Sequence, residues 1–460
     1  MHGQALVVGF RTDKLLRVRV MVMALLVQLA SCTSGPGNGN ESDRGSGGNN
    51  GSTSSGGATG GDGFSGSGGF SGSDGFSGSN GTSGSNGTSG SGGFSGSNGT
   101  SGSGGSSGGG GVSGDTETSG RGGTSGNIGG QAGAGGAGGM GSAGAAGTLA
   151  ATPPMGWNSW ESFRCNLTEA LIHGVADTIV SSGMQAAGYL YVNLDDCWMD
   201  GRDANGSLRW NATKFPAGIP NLASYVHAKG LRLGIYESAN TRTCVGIYGG
   251  IAATVAAGSL GHEAQDASTF ASWGVDFLKY DLCAGDRNSF AKMRDGLRAT
   301  GRPIVYSINP GNATGYPPNT PGWDPVNLAH MWRVAYDITN TYTSMTSIID
   351  QDAPFFAYAG PGHWNDADGL EVGNGMTADE DRSQLSMWAI LASPLFAGND
   401  IRSMSTTTRE ILTNAEVVAV NQDPLGNQGR LVATPQPNVQ VWSRELSGQN
   451  ARAVALLNRT

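Results

Sequence analysis

Lys279 and Asp281 lie two residues apart in the stretch Phe277-Leu278-Lys279-Tyr280-Asp281-Leu282-Cys283, FLKYDLC, at the end of an apolar run. Side chains along a β-strand alternate faces, so this spacing directs an ammonium and a carboxylate to the same side. Such a pair is either a structural ion pair or a charged nucleophile held in place. A neighbouring lysine favours the ionised carboxylate when the site is dry. Further aspartates occur in the same part of the chain: Asp195, Asp196, Asp337, Asp366 and Asp368. Paired carboxyl groups can supply one nucleophile or base and one acid, the two functions that cleavage of a glycosidic bond requires.

The residues around them fit that chemistry. Sugar rings offer apolar faces to aromatic side chains and a rim of hydroxyls to charged groups. Trp157, Trp160 and Trp198 fall near strand ends and are candidate platforms, whereas Trp273 and Trp388 fall at helical positions and read as core. His227, His262, His330 and His363 have no HxxxH or HExxH spacing, so no metal site is expected. Spacing ranks Asp281 first as nucleophile. It does not choose the acid among the other aspartates.

These residues need a scaffold. After Thr152, short apolar runs alternate with longer amphipathic stretches. Strands are expected near Met155, then at 189–195, 231–237, 275–281, 303–309, 329–334, 355–360 and 393–399. Helices are expected after Leu167 and from Ala378 to Ala392, the latter opening with acidic residues as a helix N-terminus should. Eight strands alternating with helices over about 250–270 residues match an α/β fold, the (β/α)8 TIM barrel. An open doubly wound sheet is the rival, but no GxGxxG turn follows the first strand. Asp195, Glu237, Asp281, Asn309 and Asn399 all fall at carboxyl ends of expected strands, which form the functional face of such a barrel.

Composition divides the rest of the chain. Most of the 80 glycines fall before the barrel, and residues 33–148 are almost wholly Gly, Ser, Asn, Thr and Ala. Such a segment buries too little apolar surface to offset its chain entropy, so a disordered linker is expected. Its root-mean-square reach would be roughly 60 Å. Ahead of it, Arg11, Lys14, Arg17 and Arg19 precede the apolar run from Val20 to Ala30. Residues 1–32 therefore read as a signal sequence, too short to span a membrane. Leu29-Ala30-Ser31-Cys32 resembles the lipobox of bacterial lipoproteins, which implies cleavage before Cys32 and its lipidation. The expected location is outside the cytoplasm: a cell-surface or outer-membrane lipoprotein, or a secreted protein. A membrane is expected as partner only through that anchor. Net charge is −9 with no basic run in the folded part, so nucleic acid is not an expected partner. Besides Cys32, four cysteines remain (Cys165, Cys197, Cys244 and Cys283), and their spacing leaves three pairings open. Beyond the barrel (149–424), residues 425–460 carry short β-patterned runs. These read as the start of a C-terminal antiparallel β domain that is cut short, or else as strands that finish on the barrel.

The segments TPPMGWNSWESFRC, YLYVNLDDCWMDGRD, LRLGIYES, WGVDFLKYDLC, HWNDADGLEVGN, MWAILASPLFAGNDIR and VNQDPLGNQG closely resemble glycoside hydrolase family 27, the α-galactosidase or melibiase family. The resemblance runs in order from about Thr152 to Leu431. It implies a retaining hydrolase that releases terminal α-linked galactose by double displacement, with galactose-containing oligosaccharides or polysaccharides as partners and no cofactor. It assigns the nucleophile to Asp281 and the acid/base to Asp337, four residues after Arg333. Sugar binding carries over to Trp160, Asp195, Asp196, Tyr236, Cys244, Lys279, Arg333 and Asp368. The implied disulfides are Cys165–Cys197 and Cys244–Cys283. An acid role needs a raised pKa at Asp337; the charge of Asp281 would raise it and Arg333 would lower it.

Three positions depart from the common pattern of the family. Asn309-Pro310 stands where many members have Glu-Trp, Gly369 where a methionine is common, and Glu237-Ser238 where Ser-Asp is common. The first departure bears on the sugar's 2-position. The resemblance therefore leaves two alternatives of the same mechanism, a β-L-arabinopyranosidase and an α-N-acetylgalactosaminidase. A third is a catalytically silent sugar-binding surface protein.

Overall fold

The structure, a computed structural model, describes residues 5–11, 149–249, 257–311 and 324–460. The linker at 33–148 and Cys32 therefore lie outside the described residues. Eight short strands form one parallel sheet: β1 (Met155–Asn158), β2 (Tyr191–Asn193), β3 (Arg232–Ser238), β4 (Phe277–Asp281), β5 (Val305–Asn309), β6 (Met331–Arg333), β7 (Trp364–Asp366) and β8 (Leu395–Ala397). Their spatial order follows the chain from β1 to β7, with β8 beside β1. A parallel bridge between Leu370 and Ala397 closes the ring between the seventh and eighth strands. The expected (β/α)8 barrel is the fold observed.

The period of two in the strands builds the interior in layers. Tyr191, Phe277, Val305, Met331, Trp364 and Phe396 form a separate apolar cluster, the barrel floor. Two residues further along the same strands come Asn193, Lys279, Ser307, Arg333 and Asp366. Two further still are Asp195, Asp281 and Asn309. Register holds the layers level, with Phe277 beside Val305, Lys279 beside Ser307 and Asp281 beside Asn309. Gly234 makes the polar layer possible on β3, because a Cβ there would overlap the Asn193 side chain.

Helices cover the outside. The helix Glu169–Ser181 begins at Thr168, whose side chain accepts a hydrogen bond from the Leu171 amide, and it buries Leu171, Ile172, Val175, Ala176 and Ile179. The helix Ala378–Leu391 carries a full capping box between Thr377 and Glu380. One expected strand is corrected. Residues 355–360 are not a strand: Ala353–Phe355 is a 3-10 turn with Pro354 near its start, and the seventh strand is Trp364–Asp366. Proline pre-sets the turn, while the aromatics that mimicked a strand lie half-buried against the core.

Three further strands follow the barrel: β9 (Arg430–Gln436), β10 (Val439–Glu445) and β11 (Ala451–Asn458). They are antiparallel, and Ala5–Arg11, from the stretch read as a signal sequence, pairs with β11. Trp442, Ala453, Ala455 and Leu457 join the same apolar core as Leu385 and Trp388 of the covering helix. Arg444 is fully buried, and its Nη1 donates to the Ala389 carbonyl. Among the described residues, no helix is long and apolar enough to cross a membrane.

Candidate active site

A cavity of about 550 Å³ opens at the carboxyl ends of the strands. Asp281 and Asp337 line it together with Trp160, Asp195, Asp196, Tyr236, Cys244, Lys279, Arg333 and Asp368. The ten residues to which the family resemblance gives catalytic or sugar-binding roles therefore meet in one place, although they come from separate strands and loops.

The ammonium of Lys279 organises one side. Its Nζ lies 2.8 Å from Asp195 Oδ2 and 3.9 Å from Asp281 Oδ2. Asp195 Oδ2 also accepts from Asn158 Nδ2 at 2.9 Å. The neighbouring Asp196 is fixed by two backbone amides, those of Cys197 at 2.6 Å and Val245 at 2.9 Å. Burial works against the charge on Lys279, but Asp195 and Asp281 more than offset it and hold the lysine protonated.

Asp281 is the least solvated carboxyl of the pair expected to do chemistry. Its side chain is 9% exposed, against 84% for Asp337. Asp281 Oδ1 has no hydrogen-bond partner, and Oδ2 lies 3.5 Å from Cys244 Sγ. Both cysteine sulfurs near it are bonded to each other in the Cys244–Cys283 disulfide, and Cys165–Cys197 forms the second bridge. Tyr236 braces this corner, its hydroxyl accepting from the Cys244 amide at 3.2 Å.

On the other side Arg333 Nη2 lies 2.8 Å from Asp368 Oδ2 and 3.1 Å from Asp337 Oδ1. Asp368 also accepts from the Ile338 amide at 2.9 Å. It sits at φ 74°, a conformation costly for a residue with a Cβ, and Cys283 and Ala284, which line the same cavity, also have positive φ.

These surroundings set the charges. Burial pushes the Asp281 carboxyl up to about 7 despite the opposing pull of Lys279, with Asp195 and Asp337 adding to the rise. The Arg333 guanidinium holds Asp337 below the usual carboxylate range. One expectation changes, and one balance that the sequence left open is decided. Lys279 is chiefly the partner of Asp195 and does not outweigh the desolvation of Asp281. At Asp337, Arg333 prevails over the charge of Asp281.

Other expected residues lie elsewhere. Trp157 and Trp198 are wholly buried, their indole N–H groups donating to the Asn399 and Tyr236 carbonyls; of the three platform candidates only Trp160 faces the cavity. Glu237 falls on the opposite strand parity from Tyr236 and is fully buried away from the cavity. Asn399 lines an adjoining cleft. Sequence reasoning passed over Glu161, which borders both spaces and whose carboxyl is pushed up to about 8 by burial, with Asp368 and Glu371 adding to it. Its position beside Trp160 was the available signal. Tyr248 and Tyr336, also at the rim, carried none.

Comparison with known proteins shows the family. A family model described as Melibiase_2, alpha galactosidase A, matches residues 152–423. The chain is similar to alpha-galactosidase A of Cellvibrio japonicus, 45% identical over 326 residues that cover 68% of this chain and 77% of that protein. It is 46% identical over 323 residues to the alpha-galactosidase of Cyamopsis tetragonoloba, covering 68% and 74% of the two chains. The crystal structure of alpha-galactosidase I from Mortierella vinacea superposes with a TM-score of 0.62 at 36% identity, over 68% of this chain and 83% of the other. With its barrel, its disulfides and the segments that line its cavity all accounted for, the chain belongs to the melibiase family, glycoside hydrolase family 27.

Proposed function

We propose that this chain is a retaining α-galactosidase that releases terminal α-linked galactose from oligosaccharides or polysaccharides. The observation that carries the reading is the contrast between two carboxyls of one cavity. Asp281 is deep, with one oxygen lacking any donor, and Asp337 is exposed at the rim. A desolvated carboxylate is a strong nucleophile, and an exposed carboxyl can reach a departing group.

In the first step Asp281 attacks the anomeric carbon, forming a glycosyl ester as the C1–O bond breaks. Asp337 gives its proton to the leaving oxygen. In the second step Asp337 takes a proton from water, whose oxygen attacks the same carbon and frees Asp281 with net retention. In the free protein the shared proton rests mainly on Asp281, given the directions of the two shifts. Substrate covers Asp337, strips water from it and raises its affinity for the proton. Lys279, Asp195 and Asp196 hold hydroxyls on one edge of the sugar, Arg333 and Asp368 on the other, and Trp160 meets an apolar face.

Hydrolysis of nitrophenyl α-galactoside followed by NMR tests the proposal. The expected first product is α-galactose. β-Galactose formed first, or no turnover by a folded sample, overturns it.

The same proposal places the enzyme outside the cytoplasm, with Cys32 lipidated, residues 33–148 as tether, 149–424 as catalytic barrel and 425–460 as β-strand extension. Leu29-Ala30-Ser31-Cys32 supports it. Fatty-acid labelling that Cys32→Ala removes is the check.

A further inference from the structure

The catalytic cavity does not end at its rim. A second cleft, of about 900 Å³, adjoins it, and Glu161 lines both. Its wall is built by segments that follow β1, β6, β7 and β8, so it shares the functional face of the barrel. Ile338, Thr339 and Asn340, the three residues after Asp337, are part of that wall, and the Ile338 amide donates to Asp368 of the cavity at 2.9 Å. Arg164 stands at the junction. Its guanidinium lies 5.1 Å over the Trp160 ring, and its charge acts on Asp337 of the cavity and on Glu371 of the cleft alike. Carboxyls, side-chain amides and hydroxyls make up most of the lining, and two acceptors among them lack donors. Asp381 and Asn399 are 4% and 3% exposed, and Oδ1 of each has no hydrogen-bond partner. A buried acceptor left unpaired is costly, so such atoms suit a ligand that brings donors of its own.

Depth gives the substrate a direction. The galactose carbon under attack must sit over Asp281, whose side chain is 9% exposed, and the bond that breaks must point toward Asp337, which is 84% exposed. The group attached to galactose therefore leaves past Asp337, where residues 338–340 lead into the cleft. We propose that this cleft seats the continuation of the substrate, a run of several uncharged hexose units belonging to the main chain from which galactose is cut; this rests on the galactosidase reading above. Sugar hydroxyls donate to Asp381 Oδ1 and Asn399 Oδ1 without bringing a charge. Glu161, Glu371, Asp381 and Asp400 also line the cleft, against the single cation Arg164, so a chain of acidic sugars is disfavoured.

Two substrates isolate this contribution: galactosyl-α-1,6-mannose and a mannopentaose bearing one α-1,6-linked galactose. Linkage and first sugar are the same, and only the second has units that reach beyond the cavity. For the parent protein kcat/KM is expected to be about tenfold higher on the longer substrate, chiefly through KM. Ser403→Leu and Thr407→Leu each put apolar bulk on the cleft wall, away from Asp281 and Asp337. Each should shrink that ratio severalfold while leaving kcat/KM of the disaccharide unchanged. Equal kcat/KM of the parent on the two substrates, or a ratio that neither substitution lowers, overturns the cleft as a subsite and leaves the galactosidase reading intact. Parent protein that cleaves neither substrate overturns that reading, and the subsite with it.

Discussion

At the scale of single residues, the site depends on which of two carboxyls holds one proton. Burial raises Asp281 to about 7, while Arg333 lowers Asp337. In the proposed mechanism the catalytic form has one proton on the pair. As pH rises through about 7 that proton is lost, and kcat/KM should fall about tenfold per unit above it. Below the usual carboxylate range both groups are protonated and activity falls again. Replacing the nearby cation by Lys279→Met removes a charge that lowers the Asp281 value, so the basic limb should move to higher pH. A pH–rate profile of both proteins checks this; a limb that stays in place or moves down contradicts it. Strand alternation made the facing of Lys279 and Asp281 legible in the sequence. The choice of partner was not, because Asp195 comes from a strand 84 residues away and its distance is a product of the closed barrel.

At the scale of elements, apolar periodicity and capping signals located most of the barrel. The helix Ala378–Leu391 was readable because acidic residues mark its first turn, and the structure adds the capping box between Thr377 and Glu380. Thr377→Ala should cost about 1 kcal/mol, as loss of an N-cap typically does. Denaturant unfolding measures it, and a change near zero would show that tertiary packing alone fixes that helix. The seventh strand escaped because Trp364–Asp366 is three residues long and two of them are polar. Its neighbour FFAYAG had the stronger apolar pattern yet packs as a turn. The disulfide pairing was not derivable from spacing. It followed from family resemblance, and the structure pairs the same cysteines.

At the scale of the whole molecule, the barrel collects buried carboxyls that favour protons. Glu161 and Asp352 are pushed up to about 8 and Asp281 to about 7, each first by burial. A carboxyl whose folded pKa exceeds its unfolded value contributes stability that is fully present below the unfolded pKa and lost as pH rises through the folded one. The loss runs from the unfolded carboxylate range near 4 up to the folded values of about 7 and 8. His330, lowered to about 4 by burial, opposes it below its ordinary value and no longer above that. The melting temperature should therefore fall between about pH 6.5 and 8, and a flat or rising curve there contradicts the burial of these groups. Sequence reading located the barrel and its functional face because alternation is local. It could not see how many acidic groups closure of the ring would bring out of water.

The central claim is that Asp281 forms the bond to the sugar. Incubation with a slowly released galactosyl donor, 5-fluoro-α-galactosyl fluoride, followed by proteolysis and mass spectrometry, tests it directly. One fluorogalactosyl group on the carboxyl of Asp281, absent in Asp281→Ala, is the result this account predicts. A label on another side chain, or turnover of the donor by Asp281→Ala, contradicts it.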